Sequence, residues 1–339
     1  MNRIRQFLDP FLMALIGTVL LATFLPARGQ AATIAGAAAG AGIVLLFFLH
    51  GAKLSREAVW NGARAWKLHL ATLATTFLLF PAIGWGVSEL PGIPPLVATG
   101  LLFLTLLPST VQSSIAFTAI ARGNVAAAVV SASFSNLLGI FLTPLLVTLL
   151  MHGVGGPGGG LSIAAVEGIV LQLLLPFILG HLLRPWIGGF IARHKGTVAK
   201  VDRGSILLVV YSAFSAAVVE GLWHRLSRAE LLLIAGACAA ILTLALVFSW
   251  ALGRMLGFSR EDRIVLQFCG SKKSLAAGVP MAGVLFPAAT VGPIILPLML
   301  FHQIQLMACA LIARHYARRP EEAISESSGP PAIAVAPPR

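Results

Sequence analysis

The stretch Leu101-Leu-Phe-Leu-Thr-Leu-Leu-Pro-Ser-Thr-Val-Gln-Ser-Ser114 starts as an apolar run and then stops being one. Pro108 removes a backbone donor, and its ring clashes with the preceding turn, so a helix arriving from Leu101 is interrupted there. Ser109, Thr110, Gln112, Ser113 and Ser114 follow at once, and the chain then turns apolar again. A proline kink patched by serine and threonine is the plainer explanation. Five polar residues in six positions favour a true break lining a cavity. Unwound backbone survives at membrane depth only where protein or water satisfies it.

A second stretch behaves alike: Gln267-Phe-Cys-Gly-Ser-Lys-Lys-Ser-Leu-Ala-Ala-Gly-Val-Pro280. Lys272 and Lys273 sit well inside an apolar segment that opens at Ile264. Each intramembrane lysine costs about 2.5–3.5 kcal/mol on insertion scales. Snorkelling could carry one ammonium to the interface, but hardly both. A loop between two short helices would also place them there. The reading adopted is a discontinuous helix whose lysines face a solvated cavity.

Composition puts both stretches in a bilayer. Of the 339 residues, 58% are hydrophobic and 11% charged, and the mean hydropathy is +0.90. Soluble domains carry roughly 25% charged residues. The apolar residues fall in blocks near 20, the length that crosses a hydrocarbon core about 30 Å thick. Ten such segments are read: about 7–25, 32–50, 67–88, 95–121, 124–151, 162–183, 205–223, 230–253, 263–286 and 289–313. The first, preceded by Arg3 and Arg5, could be a signal peptide, but it fills a span and is kept as one.

Ten spans sort the charges. Arg3, Arg5, Lys53, Arg56, Arg64, Lys67, Arg122, Arg184, Arg193, Lys195, Lys200, Arg203, Arg254, Arg260, Arg263, Arg314, Arg318 and Arg319 share one side. Only Arg28, Arg225 and Arg228 face the other. The excess marks the cytoplasm, with both termini in it, and accounts for the net charge of +12 without a nucleic-acid partner. The expected location is the cell inner membrane, multi-pass, with the lipid bilayer as partner. A glycine-rich linker over 153–161 separates a five-span repeat, 1–152, from another, 162–318, and 319–339 reads as a disordered cytoplasmic tail. An odd number of spans per half inverts the second half. The expected fold is therefore an all-α polytopic membrane protein of about ten transmembrane helices in two inverted five-helix repeats. The interrupted spans are the fourth of each half, and matched breaks mark a binding site at the midplane of secondary transporters. Half-helix N-termini would attract an anionic small-molecule substrate, and freed carbonyls a cation.

The motifs Lys67-Leu-His-Leu70, the Pro108–Ser114 break, Arg122-Gly-Asn124 and Lys273-Ser-Leu275 carry a resemblance to the bile acid:sodium symporter superfamily, over about residues 5–318. The chain looks most like its SBF-like, YfeH-type bacterial branch. The resemblance implies a panel and a core domain, broken helices crossing at spans 4 and 9, and sodium-coupled uptake of organic anions. The ligand and ion candidates it carries over are Ser113, Ser114, Ser131, Ser135 and Asn136, with Gln267, Ser271, Lys272, Lys273 and Ser274. Pro108, Ser109, Thr110, Gln112 and Asn124 join them from the motifs. Sodium would lie near Ser113, Ser114, Ser135 and Gln267. No other cofactor is implied, and coupling to sodium or to protons stays open. The family's ninth-span glutamate falls near Phe268 here, and the lysines replace the polar run that follows it. A unit charge 4 Å from a sodium ion repels it by about 4 kcal/mol at an effective dielectric near 20. A lysine is therefore expected in the ion's place, drawing an anionic substrate directly or carrying a proton.

Other residues have plainer readings. Cys238, Cys269 and Cys309 lack metal-ligand or disulfide patterning. Glu167 and Glu220 read as interfacial or paired acids rather than coupling groups; His69, His181 and His302 as span-edge or helix-contact residues. Trp60, Trp66, Trp186 and Trp223 read as interfacial anchors. Residues 55–67 could form an amphipathic helix on the inner leaflet. Gly36, Gly40 and Gly42 suggest close helix packing. An intramembrane enzyme would need acids or a metal set that the spans lack, and a channel would need charge rings. A non-transporting regulator on the same fold is the alternative function.

Overall fold

The computed structural model describes residues 10–53, 65–151, 167–168, 170–221, 223 and 227–318. The linker over 153–161, most of the 55–67 segment, Trp60 and the tail lie outside them. Every element among the described residues is helical. The helices are α1 (Pro10–Phe24), α2 (Gln30–Lys53), α3 (Trp66–Ser88), α4 (Pro95–Thr105), α5 (Gln112–Ile120) and α6 (Val125–Leu150). After them come α7 (Val170–Arg193), α8 (Lys195–Val219), α9 (Arg228–Met255), α10 (Arg260–Gly270), α11 (Leu275–Leu285) and α12 (Ala288–Arg318).

Seven of these, α2, α3, α6, α7, α8, α9 and α12, are long and apolar enough to cross a bilayer. The segment read over 95–121 is divided into α4 and α5, and the one over 263–286 into α10 and α11. One expected loop is missing: residues 184–204 stay helical apart from a junction at His194. The helix runs through Pro185, which lies inside it, and the basic side chains between Arg184 and Arg203 lie on mostly exposed faces. Helices can outrun the hydrocarbon at little cost when their last turns are charged.

Helices without a water-driven force between them associate through small residues that let backbones approach. Here α2 and α7 do so reciprocally: a Cβ on Gly51 would lie 2.0 Å from Phe177 O, and one on Gly180 2.0 Å from Phe48 O. α8 packs on α2 beside Gly42, whose added Cβ would sit 3.3 Å from Ser205 Cβ. Gly36 also faces α8, at Ser212, whereas Gly40 meets open space. α1, α2, α7 and α8 thus form one group, and α3, α4, α5, α6, α10 and α11 gather around the breaks. α12 touches both groups.

The Arg122-Gly-Asn124 motif is a helix-to-helix turn with a role for each residue. Arg122, at φ 60°, ends α5 in the left-handed region, with Gly123 N–H donating to Thr118 O at 2.8 Å. A Cβ on Gly123 would fall 2.6 Å from Ile264 Cγ2. Asn124 caps α6 by accepting from Ala127 N–H at 3.0 Å and donates to Asp262 Oδ1 at 3.0 Å. Asn124→Ala removes both bonds and is expected to cost about 1–2 kcal/mol, read as a lower Tm of the purified protein with its elution profile unchanged.

Candidate functional site: two facing helix breaks

The two breaks meet. Ser274 N–H donates to Pro108 O at 2.9 Å, so the unwound residues of one stretch touch those of the other. Unpaired backbone costs several kcal/mol per group in hydrocarbon, and its partners can be traced residue by residue. Thr105 O and Leu107 O accept from Lys273 Nζ at 2.7 Å each. Leu106 O accepts from Thr143 Oγ1 at 2.8 Å. Ser109 O accepts from Asn136 Nδ2 at 2.7 Å, and Ser109 N–H donates to Ser135 Oγ at 2.9 Å. Every carbonyl from Thr105 to Ser109 therefore has an acceptor role. Gly139 lets α6 approach this strand of backbone, since its Cβ would lie 2.6 Å from Pro108 Cβ.

The second break is bracketed from α12. Gln305 Oε1 accepts from Lys273 N–H, and its Nε2 donates to Lys273 O, both at 2.9 Å. Gln305 is fully buried and also bonds His302 Nδ1 at 2.9 Å. Ser274 caps α11 by accepting from Ala277 N–H.

Not all expected site residues converge. Thr110 Oγ1 bonds Ser113 Oγ at 2.8 Å and Ser114 Oγ at 3.0 Å, and Ser114 donates to Phe268 O. Ser131 pairs with His69 Nδ1 at 2.7 Å, which makes His69 a helix contact. Ser271 Oγ turns back onto Gln267 O. Gln267 points away from the breaks, its Oε1 accepting from Tyr316 OH at 2.6 Å beside Trp250 and His315. Asn124 is a cap in the α5–α6 turn, outside the breaks.

The lysines do not face a solvated cavity, contrary to the sequence reading. Both are 0% exposed. Lys272 Nζ lies 4.0 Å from the Phe117 ring centroid and 5.4 Å from that of Phe268. Lys273 Nζ spends its donors on carbonyls. For Lys273 the freed backbone takes the place of water, whereas Lys272 Nζ is buried against aromatic rings with no hydrogen-bond acceptor among the described residues.

A cavity of about 560 Å³ opens beside the breaks. One wall holds Thr110–Ser113 at the start of α5 and Ser274–Ala277 at the start of α11. The first amides of a helix have no intrahelical acceptor and carry its positive dipole end. The opposite wall is apolar, with Leu46, Phe47, Phe177 and Ile206. At one end stand His50, Lys53, Asp202 and Arg203, with Lys53 paired to Asp202, and His302 lines the cavity from α12. His302 is thus mid-helix, not at a span edge. Lys53 and Arg203, which the charge pattern assigns to cytoplasmic loops, line the cavity together with Asp202. The sequence signal for Gln305 is its pairing with His302, three residues apart in an apolar run.

Broken helices that abut beside a polar-ended cavity are the architecture of a membrane transport protein. The SBF-like CPA transporter family matches residues 9–318, and the chain belongs to that family, within the bile acid:sodium symporter superfamily. It is 56% identical to the uncharacterized protein PA2026 of Pseudomonas aeruginosa over the full length of both. It is 52% identical to YfeH of Escherichia coli (strain K12), whose name proposes a symporter, over 94% of this chain and 95% of that one. It is 26% identical to sodium/bile acid cotransporter 7 of Xenopus tropicalis over 77% of each.

Proposed function

We propose that the protein is a secondary active transporter of a small amphipathic organic anion, built as two inverted five-span repeats in the cell inner membrane with both termini cytoplasmic. The cavity carries this reading. Its volume suits one small molecule, its walls are largely apolar, and positive groups outnumber the single acid Asp202. The two helix starts would hold the anionic group, and Lys53 and Arg203 would attract it at the mouth. The mouth lies at the end of α2 and the start of α8, the ends that the charge distribution assigns to the cytoplasm, which supports an inward-open state. Alternating access then needs the group around the breaks to move against α2, α7 and α8. Thr110, Ser113, Ser114, Ser135 and Gln267 already have protein partners, while Ser109 Oγ is buried with none among the described residues. The satisfied groups support a cycle that does not depend on sodium at them.

Purified protein in liposomes tests this, with taurocholate and a series of shorter aliphatic carboxylates and sulfonates, in sodium and in choline. At least one anion is expected to accumulate in either salt. Arg203→Ala should raise its KM about five- to tenfold, the loss of one charge-assisted contact, with little change in maximal rate. No transport of any anion by protein of normal Tm would overturn the reading, and a strict sodium requirement would overturn its sodium-independent part.

A further inference from the structure

The surroundings of Lys273 are those of a cation-binding site made of backbone. Three carbonyl oxygens converge on Nζ: Thr105 O and Leu107 O at 2.7 Å and Thr76 O at 2.8 Å. An ammonium has three N–H donors and no acceptor, so the match is complete. The ring of Phe80 lies with its centroid 4.3 Å from the nitrogen, placing π density on the same charge. Every group around the nitrogen is electron-rich.

Each carbonyl is free for a local reason. In α3 the backbone widens to a π-turn over Thr75–Leu79, and Phe80 N–H bonds back five residues to Thr75 O. The next donor in that register would be Pro81, which has no N–H, so Thr76 O is left over. Thr105 O and Leu107 O lie at the C-terminal end of α4, where carbonyls have no helical partner and the dipole is negative. Thr76, Thr105 and Leu107 thus make a site on α3 and α4 to which the second break contributes only the cation.

We propose that Lys273 is a tethered cation filling a site of backbone carbonyls, and that shortening the lysine turns this site into one that binds a free monovalent cation, a primary ammonium best. The site lies outside the anion cavity and does not rest on the transport reading. It serves to lock α3, α4 and the second break together without an exchangeable ion.

The test is thermal stability of detergent-purified Lys273→Ala at constant ionic strength. The variant should melt about 6–10 °C below wild type, as expected for breaking a buried charged contact. Propylammonium replaces the missing atoms and should restore most of that loss in a saturable manner. Tetramethylammonium, which has the charge but no N–H, should not, and wild type should respond to neither. Sodium forms a separate arm, and partial rescue by it would show that the carbonyls take a bare ion too. Lys273→Met keeps the chain's bulk without the charge and serves if Lys273→Ala cannot be purified. It should melt low and resist rescue, because its side chain blocks the site. A Lys273→Met protein as stable as wild type, or a folded Lys273→Ala that no primary ammonium or sodium stabilises, would overturn the proposal. Since the readout is melting, failure of anion transport leaves this result standing, and the reverse also holds.

Discussion

Alanine at Gly180 is expected to leave little folded protein. The added Cβ would lie 2.0 Å from Phe48 O, 2.9 Å from Phe48 C and 3.1 Å from Ala52 N. All three are backbone atoms of α2, so no rotamer change relieves the clash. Carbon-to-oxygen contacts between packed helices settle at about 3.3–3.6 Å, and α2 and α7 must therefore separate by more than an ångström. Overpacking costs about 1–3 kcal/mol when side chains can adjust, and more when they cannot. The loss would show as a missing or aggregated peak when detergent extracts of a fluorescent fusion are run on a sizing column. Gly51→Ala should do the same, with its Cβ 2.0 Å from Phe177 O. The double variant should be little worse than either single one, because helices already forced apart admit both methyls. A monodisperse double variant with wild-type Tm would show that this approach is not close in the folded protein. Phe177 borders both this contact and the cavity, so any surviving variant should also bind anions differently.

Gln305→Leu is expected to be nearly as damaging, for a different reason. Leucine fills the space but leaves the N–H and C=O of Lys273 without partners in a fully buried place. Two unmade buried bonds at about 1–3 kcal/mol each amount to roughly 2–6 kcal/mol. Gln305→Glu separates the two halves of the bracket, since it keeps an acceptor for the N–H and loses the donor to the C=O. It should fall between wild type and leucine in melting, and it adds a charge beside His302. Equal melting of Gln305→Leu and wild type would mean that the second break holds its shape through Pro108 O, the α11 cap and the Lys273 ammonium without the Gln305 bracket.

The breaks were the most legible part of the chain. Pro108 with its run of hydroxyls, and two lysines deep in an apolar segment, are local violations of helix and membrane chemistry, and such violations point to specialised places. The family resemblance rested on the same residues, and the family match agrees with it. The partners of the breaks were less legible because most are main-chain carbonyls, which every residue has. Thr76 O is available only because of a π-turn and a proline five residues on, and Thr105 O only because α4 stops. No residue type announces either. Gln305 is one of two amides in a long apolar helix, and Lys53, Asp202 and Arg203 stand among other charges that read as loops. The same blindness produced the error over the solvated lysines. A buried cation demands satisfaction, but sequence alone does not say whether water or peptide supplies it.

The order of the ligands along the chain bears on how the protein is made. Thr76, Thr105 and Leu107 all precede Lys273, so in synthesis from the N-terminus the cradle can be in the membrane before the lysine arrives. A lysine-bearing half-helix offered to lipid alone would pay the insertion penalty in full. Released against α3 and α4, it meets three waiting oxygens instead. Biogenesis of the second half therefore leans on the first, and a chain started after Leu107 would present the insertion machinery with a segment it has reason to reject.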